Sequence, residues 1–206
     1  MRTVGILLFN EIEVLDFAGP FEVFGVAGRQ ADSRRLGEIP FHVFTVAERG
    51  PVYARNGLVI TPTYLLNDHP KADIIIVPGG GGYHADKTPF GSRREMNNPT
   101  VLNWVSRTAQ TAELVLSVCT GSFILGQAGL LENLSATTHF MAIDDMQVMN
   151  RTTTVVAGER YVDNGKIITS AGISAGIDMS LYVVGKLLGK DVADETARYM
   201  QYDYWT

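Results

Sequence analysis

The sequence contains a single cysteine, Cys119, so it has no internal disulfide framework, and no Cys/His spacing has the pattern of a structural zinc site. It has no surplus of positive charge either. Seventeen basic against 22 acidic side chains leave a formal net charge of −5, which offers no overall positive field to collect the phosphates of DNA or RNA. The short basic clusters Arg34-Arg35 and Arg93-Arg94 read as solvated loop charges. Met1-Arg2-Thr3-Val4-Gly5 carries no signal-type apolar core or cleavage pattern. The longest apolar stretch, Ile173 to Leu188, is interrupted by Asp178 and Lys186 and is short for a bilayer. These absences point away from nucleic acid and membrane partners and towards a reducing, cytoplasmic setting. No metal and no cofactor is expected. The length of 206 residues suits one domain spanning the whole chain, with no repeat or linker to divide it.

The apolar runs that are present alternate with helical patterns. Thr3 to Phe9 is continuously apolar, as in a strand covered on both faces, and a helix follows over Asp16 to Ala27 with Pro20 suited to its first turn. Phe41 to Ala47 reads as a strand, and Asn56-Gly57 predicts a hairpin between Val52-Tyr53 and Leu58 to Thr61. Asp73 to Val77 is a strand that breaks into Pro78 and the glycines Gly79 to Gly82. Asn98-Pro99 caps a helix running to about Ala112, Glu113 to Val118 reads as a buried strand ended by Cys119, and Thr120 to Ala128 has helical spacing. A second hairpin turns at Asn164-Gly165, between Tyr161 to Asp163 and Lys166 to Ser170. Helices are predicted over Ser174 to Leu188 and Val192 to Tyr202. The alternation predicts an α/β fold: a mostly parallel sheet, helices on both faces and right-handed crossovers.

A residue between a sheet strand and a helix sits at the sheet's carboxyl edge, where ligands bind in open α/β folds. A thiol there feels the positive end of the helix, so Cys119 is expected to titrate below the ordinary thiol and to alkylate selectively. Gly121 and Ser122 permit a tight turn in the manner of a nucleophile elbow. A lone cysteine is also compatible with a small buried apolar residue, but the strand-Cys-Thr-Gly-Ser-helix order favours a nucleophile. The glycine loop lacks the GxGxxG spacing and the Walker lysine of a phosphate cradle. It is either a flexible turn or a neighbour of Cys119 whose N–H groups at Gly80 or Gly81, with that of Thr120, face an oxyanion.

Five motifs in order, LDFAGP (15–20), VPGGGG (77–82), SVCTGSFILGQAGLL (117–131), ATTH (136–139) and ITSAGISAGIDMSL (168–181), closely resemble the DJ-1/PfpI superfamily of glutamine amidotransferase-like proteins. The likeness is to the branch holding isocyanide hydratases and the amidase-like domains of AraC-type regulators. It implies a flavodoxin-like three-layer sandwich, a homodimer and a reactive cysteine at Cys119 in a strained elbow. It also implies an acidic partner at Asp16, able to hydrogen-bond the thiol or position a water, although Asp16 alone reads equally as a helix cap. His139, after Thr137-Thr138, resembles the superfamily histidine that could complete a Cys–His arrangement. Thr120 stands where the protease-like branch has histidine, which matches the hydratase branch instead. Phe140 stands where that branch often has tryptophan, and with Phe21 it is expected to line an apolar pocket. His42, His69 and His84 are expected on the surface or in loops.

The function implied is hydration of a small, mainly apolar isocyanide to an N-substituted formamide through a Cys119 thiolate. The alternatives are an amidase-like hydrolase or a glyoxalase using the same thiolate, or a non-enzymatic redox or ligand sensor. With no helix-turn-helix pattern after the last helix, a complete transcription regulator is not expected.

Overall fold

Strands built from unbroken apolar runs need cover on both faces, and such strands form the middle of a seven-stranded sheet in the computed structural model, which describes residues 1–28 and 39–203. The strands are β1 (Arg2–Leu8), β2 (Phe41–Ala47), β3 (Tyr64–Leu65), β4 (Ile74–Val77), β5 (Leu114–Val118), β6 (Tyr161–Asp163) and β7 (Ile167–Ser170). Their spatial order is β6-β7-β5-β4-β1-β2-β3, parallel throughout except for the β6–β7 hairpin. Val77 of β4 lies opposite Ser117 of β5, and Val118 of β5 opposite Ser170 of β7. This register brings Pro78, Cys119 and Ala171, each the residue after its strand, to one edge.

The helices are α1 (Val14–Val26), α2 (Ser92–Glu95), α3 (Pro99–Thr111), α4 (Gly121–Gln127), α5 (Ile143–Met149), α6 (Ala175–Leu188) and α7 (Lys190–Tyr199). α1, α6 and α7 pack together as one layer, and α3 packs with α4 as the other, which makes a flavodoxin-like α/β sandwich. Ile6, Ile74, Ile75, Ile76, Val115 and Leu116 are wholly buried between the layers. Burial of each such side chain is worth about 1.5–3 kcal/mol, which makes this central strip the main source of cohesion. Gly19 lets α1 close on α6, because a Cβ there would lie 2.9 Å from Ile177 Cγ1.

Both expected hairpins form but turn differently: the first closes with the Ala54 N–H on the Leu58 carbonyl around Arg55–Gly57, and in the second the Asn164 N–H bonds the Ile167 carbonyl, which puts Gly165-Lys166 at the tip. Asn98 Oδ1 caps α3 by accepting the Thr100 N–H at 3.0 Å. α1 departs from expectation. It begins at Val14 with Glu13 at the cap, so Pro20 lies in the helix interior rather than in its first turn. Without an N–H, Pro20 leaves the carbonyl four residues back, that of Asp16, without its helical donor. Arg93 is a second departure. Its guanidinium is buried 4.0 Å from the centre of the Phe123 ring and pairs with Asp145 at 2.6 Å, so a carboxylate and an aromatic face replace the water expected around it. Arg34-Arg35 lies outside the described residues. His42 and His84 are exposed, whereas His69 is half-buried and accepts the Trp104 Nε1–H at 2.8 Å. Among the described residues no helix is long and apolar enough to cross a membrane, and no group of three or more His, Cys, Asp or Glu is placed to hold a metal ion.

Candidate active site

Cys119 connects β5 to α4 with φ +57°, a left-handed conformation that costs a non-glycine residue about 1–2 kcal/mol. Three segments hold it there. Its N–H points at the carbonyls of Ser170 (3.2 Å) and Ala171 (3.1 Å), and its own carbonyl accepts the hydroxyls of Thr138 (2.9 Å) and Ser122 (3.1 Å). Gly121 is required next in the chain because a Cβ there would stand 1.9 Å from the Val77 carbonyl oxygen. The side chain is directed inward, leaving Cys119 6% exposed.

Asp16 comes to the same place from the first turn of α1 and is completely buried. It does not cap its helix. Its Oδ2 accepts the Gly79 N–H at 3.0 Å, while Oδ1 makes no hydrogen bond of good geometry. The Cys119 thiol and the Ile173 N–H act on the same carboxyl more weakly. Burial dominates these donors, and with the nearby charge of Glu13 it pushes the Asp16 carboxyl up to about 7. The thiol is driven in the same direction: burial and the Asp16 charge raise it above the ordinary thiol value, against the backbone N–H and hydroxyl of Thr120. Desolvation and the carboxylate alongside thus act against the depressed thiol expected from a helix N-terminus.

The glycine loop has a different task from the one expected. The Gly80 N–H, anticipated at an oxyanion, donates instead to Thr120 Oγ1 at 3.1 Å, and Gly81 pairs with Gly91 in a short antiparallel ribbon. The loop's glycines allow backbone to touch backbone. A Cβ on Gly79 would lie 2.5 Å from Thr120 N, and one on Gly80, at φ +101°, would lie 2.2 Å from Glu13 N. The donors that remain at the sulfur are the N–H and hydroxyl of Thr120.

His139 is engaged by its own loop: its Nδ1 accepts the Met141 N–H at 3.3 Å, and burial lowers its pKa. It lines a cleft of about 760 Å³ together with Thr138, Phe140, Ile143 and Ile173. Phe140 stands 77% exposed at that cleft. Phe21 is exposed and not part of its lining; five residues beyond Asp16, it points about 140° away around α1. Two residues at the site were not singled out from the sequence. Ile173, within the last motif, is a β-branched residue at φ +54°, and Ser92 reaches the elbow from α2, a helix too short to show periodicity, through its 2.7 Å contact with Thr120 Oγ1.

A strained cysteine at the strand–helix elbow of a parallel sheet, with a buried carboxyl delivered beside it by the first helix, defines the class of α/β proteins built around an elbow cysteine. The chain belongs to the DJ-1/PfpI family, whose family model matches residues 2–186. It is 33% identical over 199 residues to isonitrile hydratase of Pseudomonas putida, a match covering 97% of this chain and 78% of that one. It is 31% identical over 188 residues to the HTH-type transcriptional regulator CdhR of Pseudomonas aeruginosa, covering 91% of this chain but only 51% of the regulator. Among solved structures, a ThiJ/PfpI family protein from Pseudomonas syringae superposes with a TM-score of 0.83 at 26% identity, covering 98% of this chain and 75% of that one. Drosophila melanogaster DJ-1beta shares the fold, with a TM-score of 0.76 at 19% identity and coverage of 98% and 99%.

Proposed function

We propose that the protein is a lyase that hydrates isocyanides to N-substituted formamides. The observation that carries this reading is the buried Asp16 carboxyl, titrating at about 7 with one oxygen lacking a firm partner, beside the Cys119 thiol. The similarity to isonitrile hydratase supports it. As Cys119 Sγ bonds to the terminal carbon of the isocyanide, the Asp16 carboxylate takes the thiol proton and returns it to that carbon, giving an S-linked thioimidate. Water then adds to the same carbon, its proton passing by way of Asp16 to the nitrogen. The tetrahedral adduct expels the thiolate, which recovers a proton as the formamide leaves. The net change is the addition of one water. The Thr120 N–H and hydroxyl steady negative charge on sulfur as it departs.

Chromatography of formamide formed from an alkyl or aryl isocyanide tests the proposal. Cys119→Ala abolishes turnover, and Asp16→Asn lowers kcat by a factor of roughly 10² or more, the usual worth of a positioned general base. Because Asp16 must be ionised to accept the thiol proton, kcat/KM rises with pH through a limb near 7 and falls away below it. Wild-type protein that leaves isocyanides unchanged but converts methylglyoxal or cleaves amides would transfer the same cysteine–carboxyl pair to a glyoxalase or amidase. The similarity to CdhR favours one further reading, a ligand or redox sensor, which predicts no turnover on any of the three substrate classes.

A further inference from the structure

The Arg93 guanidinium is taken almost entirely out of water. Its side chain is 9% exposed and lies 4.0 Å from the centre of the Phe123 ring and 5.6 Å from that of Tyr83. Nη2 donates to Asp145 Oδ2 at 2.6 Å, and Nη1 lies 3.9 Å from the sulfur of Met149, one turn further along the same face of α5. Three helices therefore meet on one side chain: α2 carries it, α4 supplies Phe123 beneath it, and α5 supplies its carboxylate. For cohesion alone an apolar side chain would serve here, since Phe123, Tyr83 and Met149 surround the position and burying a guanidinium carries a desolvation penalty. What an ion pair adds over apolar packing is a fixed place for its partner, and the partner is in the first turn of α5.

α5 has few other anchors at that end. From Phe140 to Met149 the only buried residues are Ala142 and Met146. The far end is seated on α4, where a Cβ on Gly126 would lie 2.1 Å from Asn150 Oδ1. The near end forms part of the cleft. Phe140, Ile143 and Asp144 line it alongside Thr138 and Ala171, which hold the elbow through the Cys119 carbonyl (2.9 Å) and N–H (3.1 Å). Neither Arg93 nor Asp145 lines the cleft, so any effect of theirs on its contents passes through α5. We propose that Arg93 is a positioning residue: through Asp145 it ties the first turn of α5 to the elbow helix α4, and this strut sets the cleft wall that receives the group carried by the electrophile. The proposal rests on Cys119 being the nucleophile beside this cleft and not on the electrophile being an isocyanide.

The test compares two alkylating reagents with the same reactive group, iodoacetamide and N-benzyliodoacetamide, on Cys119, the single thiol of the chain. The ratio of their rate constants cancels any change in the thiol itself and reports how well the cleft takes the benzyl group. Arg93→Met leaves a linear apolar side chain among Phe123, Tyr83 and Met149 and leaves Asp145, which is 56% exposed, in water, so the variant keeps a thermal midpoint close to that of the wild type. Its benzyl-to-parent ratio nonetheless falls roughly threefold to tenfold, the cost of ordering one or two loosened side chains on binding. Asp145→Ala, which deprives the guanidinium of its carboxylate, lowers the ratio as well, and Asp145→Glu, which keeps a carboxylate, lowers it less. With Arg93→Met already present, Asp145→Ala adds nothing, because the two residues act through one contact. An unchanged or raised ratio in either Arg93→Met or Asp145→Ala, equal effects of Asp145→Ala in both backgrounds, or an Asp145→Glu ratio as low as that of Asp145→Ala overturns the strut. If Arg93→Met fails to fold, the two single Asp145 variants still decide by the same criteria. Ratios that behave as described in a protein without isocyanide turnover would refute the proposed reaction and leave the strut standing.

Discussion

Replacing Asp16 with asparagine keeps the shape of the side chain and its oxygen for the Gly79 N–H but removes a charge from the interior. An aspartate carboxyl ordinarily titrates at 3.8, and in this fold burial pushes Asp16 up to about 7, a difference of about three pH units. At 1.36 kcal/mol per unit, the ionised form costs the folded state about 4 kcal/mol. The sign follows from which state holds the proton. Below about pH 4 both folded and unfolded chains are protonated and there is no penalty. Between 4 and 7 only the unfolded chain ionises, so the contribution of Asp16 to stability falls as pH rises. Above 7 both ionise and the penalty is constant. Asp16→Asn should therefore gain stability relative to wild type by about 2–3 kcal/mol on going from pH 5 to pH 8. Urea denaturation at the two pH values, followed through the buried Trp104, measures this. Comparing the variant with wild type at each pH cancels the titrating groups that do not interact with Asp16. A stability offset identical at pH 5 and pH 8 would refute the raised carboxyl and, with it, the matched general base.

Cys119→Gly and Cys119→Ala should both eliminate alkylation, and the glycine variant should be the more stable of the two by about 1 kcal/mol, because glycine adopts φ +57° without the steric cost; equal midpoints in urea would show that the elbow carries no such strain. Gly121→Ala should destabilise by more than about 3 kcal/mol, since its Cβ would meet the Val77 carbonyl at 1.9 Å and backbone must move to admit it. A thermal midpoint close to wild type for that variant would contradict the close approach of β4 and α4.

The framework was legible in the sequence because each central strand is a largely apolar run, stopped in β4 by Pro78 and the glycines, and the cysteine sits between one such run and a helical pattern. The motif of Asp16 was equally legible, whereas its complete burial and its bond to the Gly79 N–H were not. What could not be read depends on three-dimensional closeness. The direction of the Gly80 N–H is set by Thr120, 40 residues away, and the exclusion of water from Arg93 is set by Phe123 and Asp145. The thiol's upward shift needed the depth of the elbow and the charge of a residue from another helix. α2 escaped notice because four residues hold too few turns to establish a period.

The bare backbone contacts beneath the sulfur divide the site, for protein engineering, into a part that accepts substitution and a part that refuses it. At Gly79, Gly80 and Gly121 any side chain would collide with main-chain atoms of another segment, so a library randomised there would consist mostly of broken proteins. Phe140 stands open at the cleft, with Ile143 partly buried beside it. Neither Cys119 nor Asp16 lines that cleft, so changes at Phe140 and Ile143 leave the backbone contacts of the elbow untouched. Under the proposed reaction, freedom to vary lies at the rim and constraint lies in the elbow.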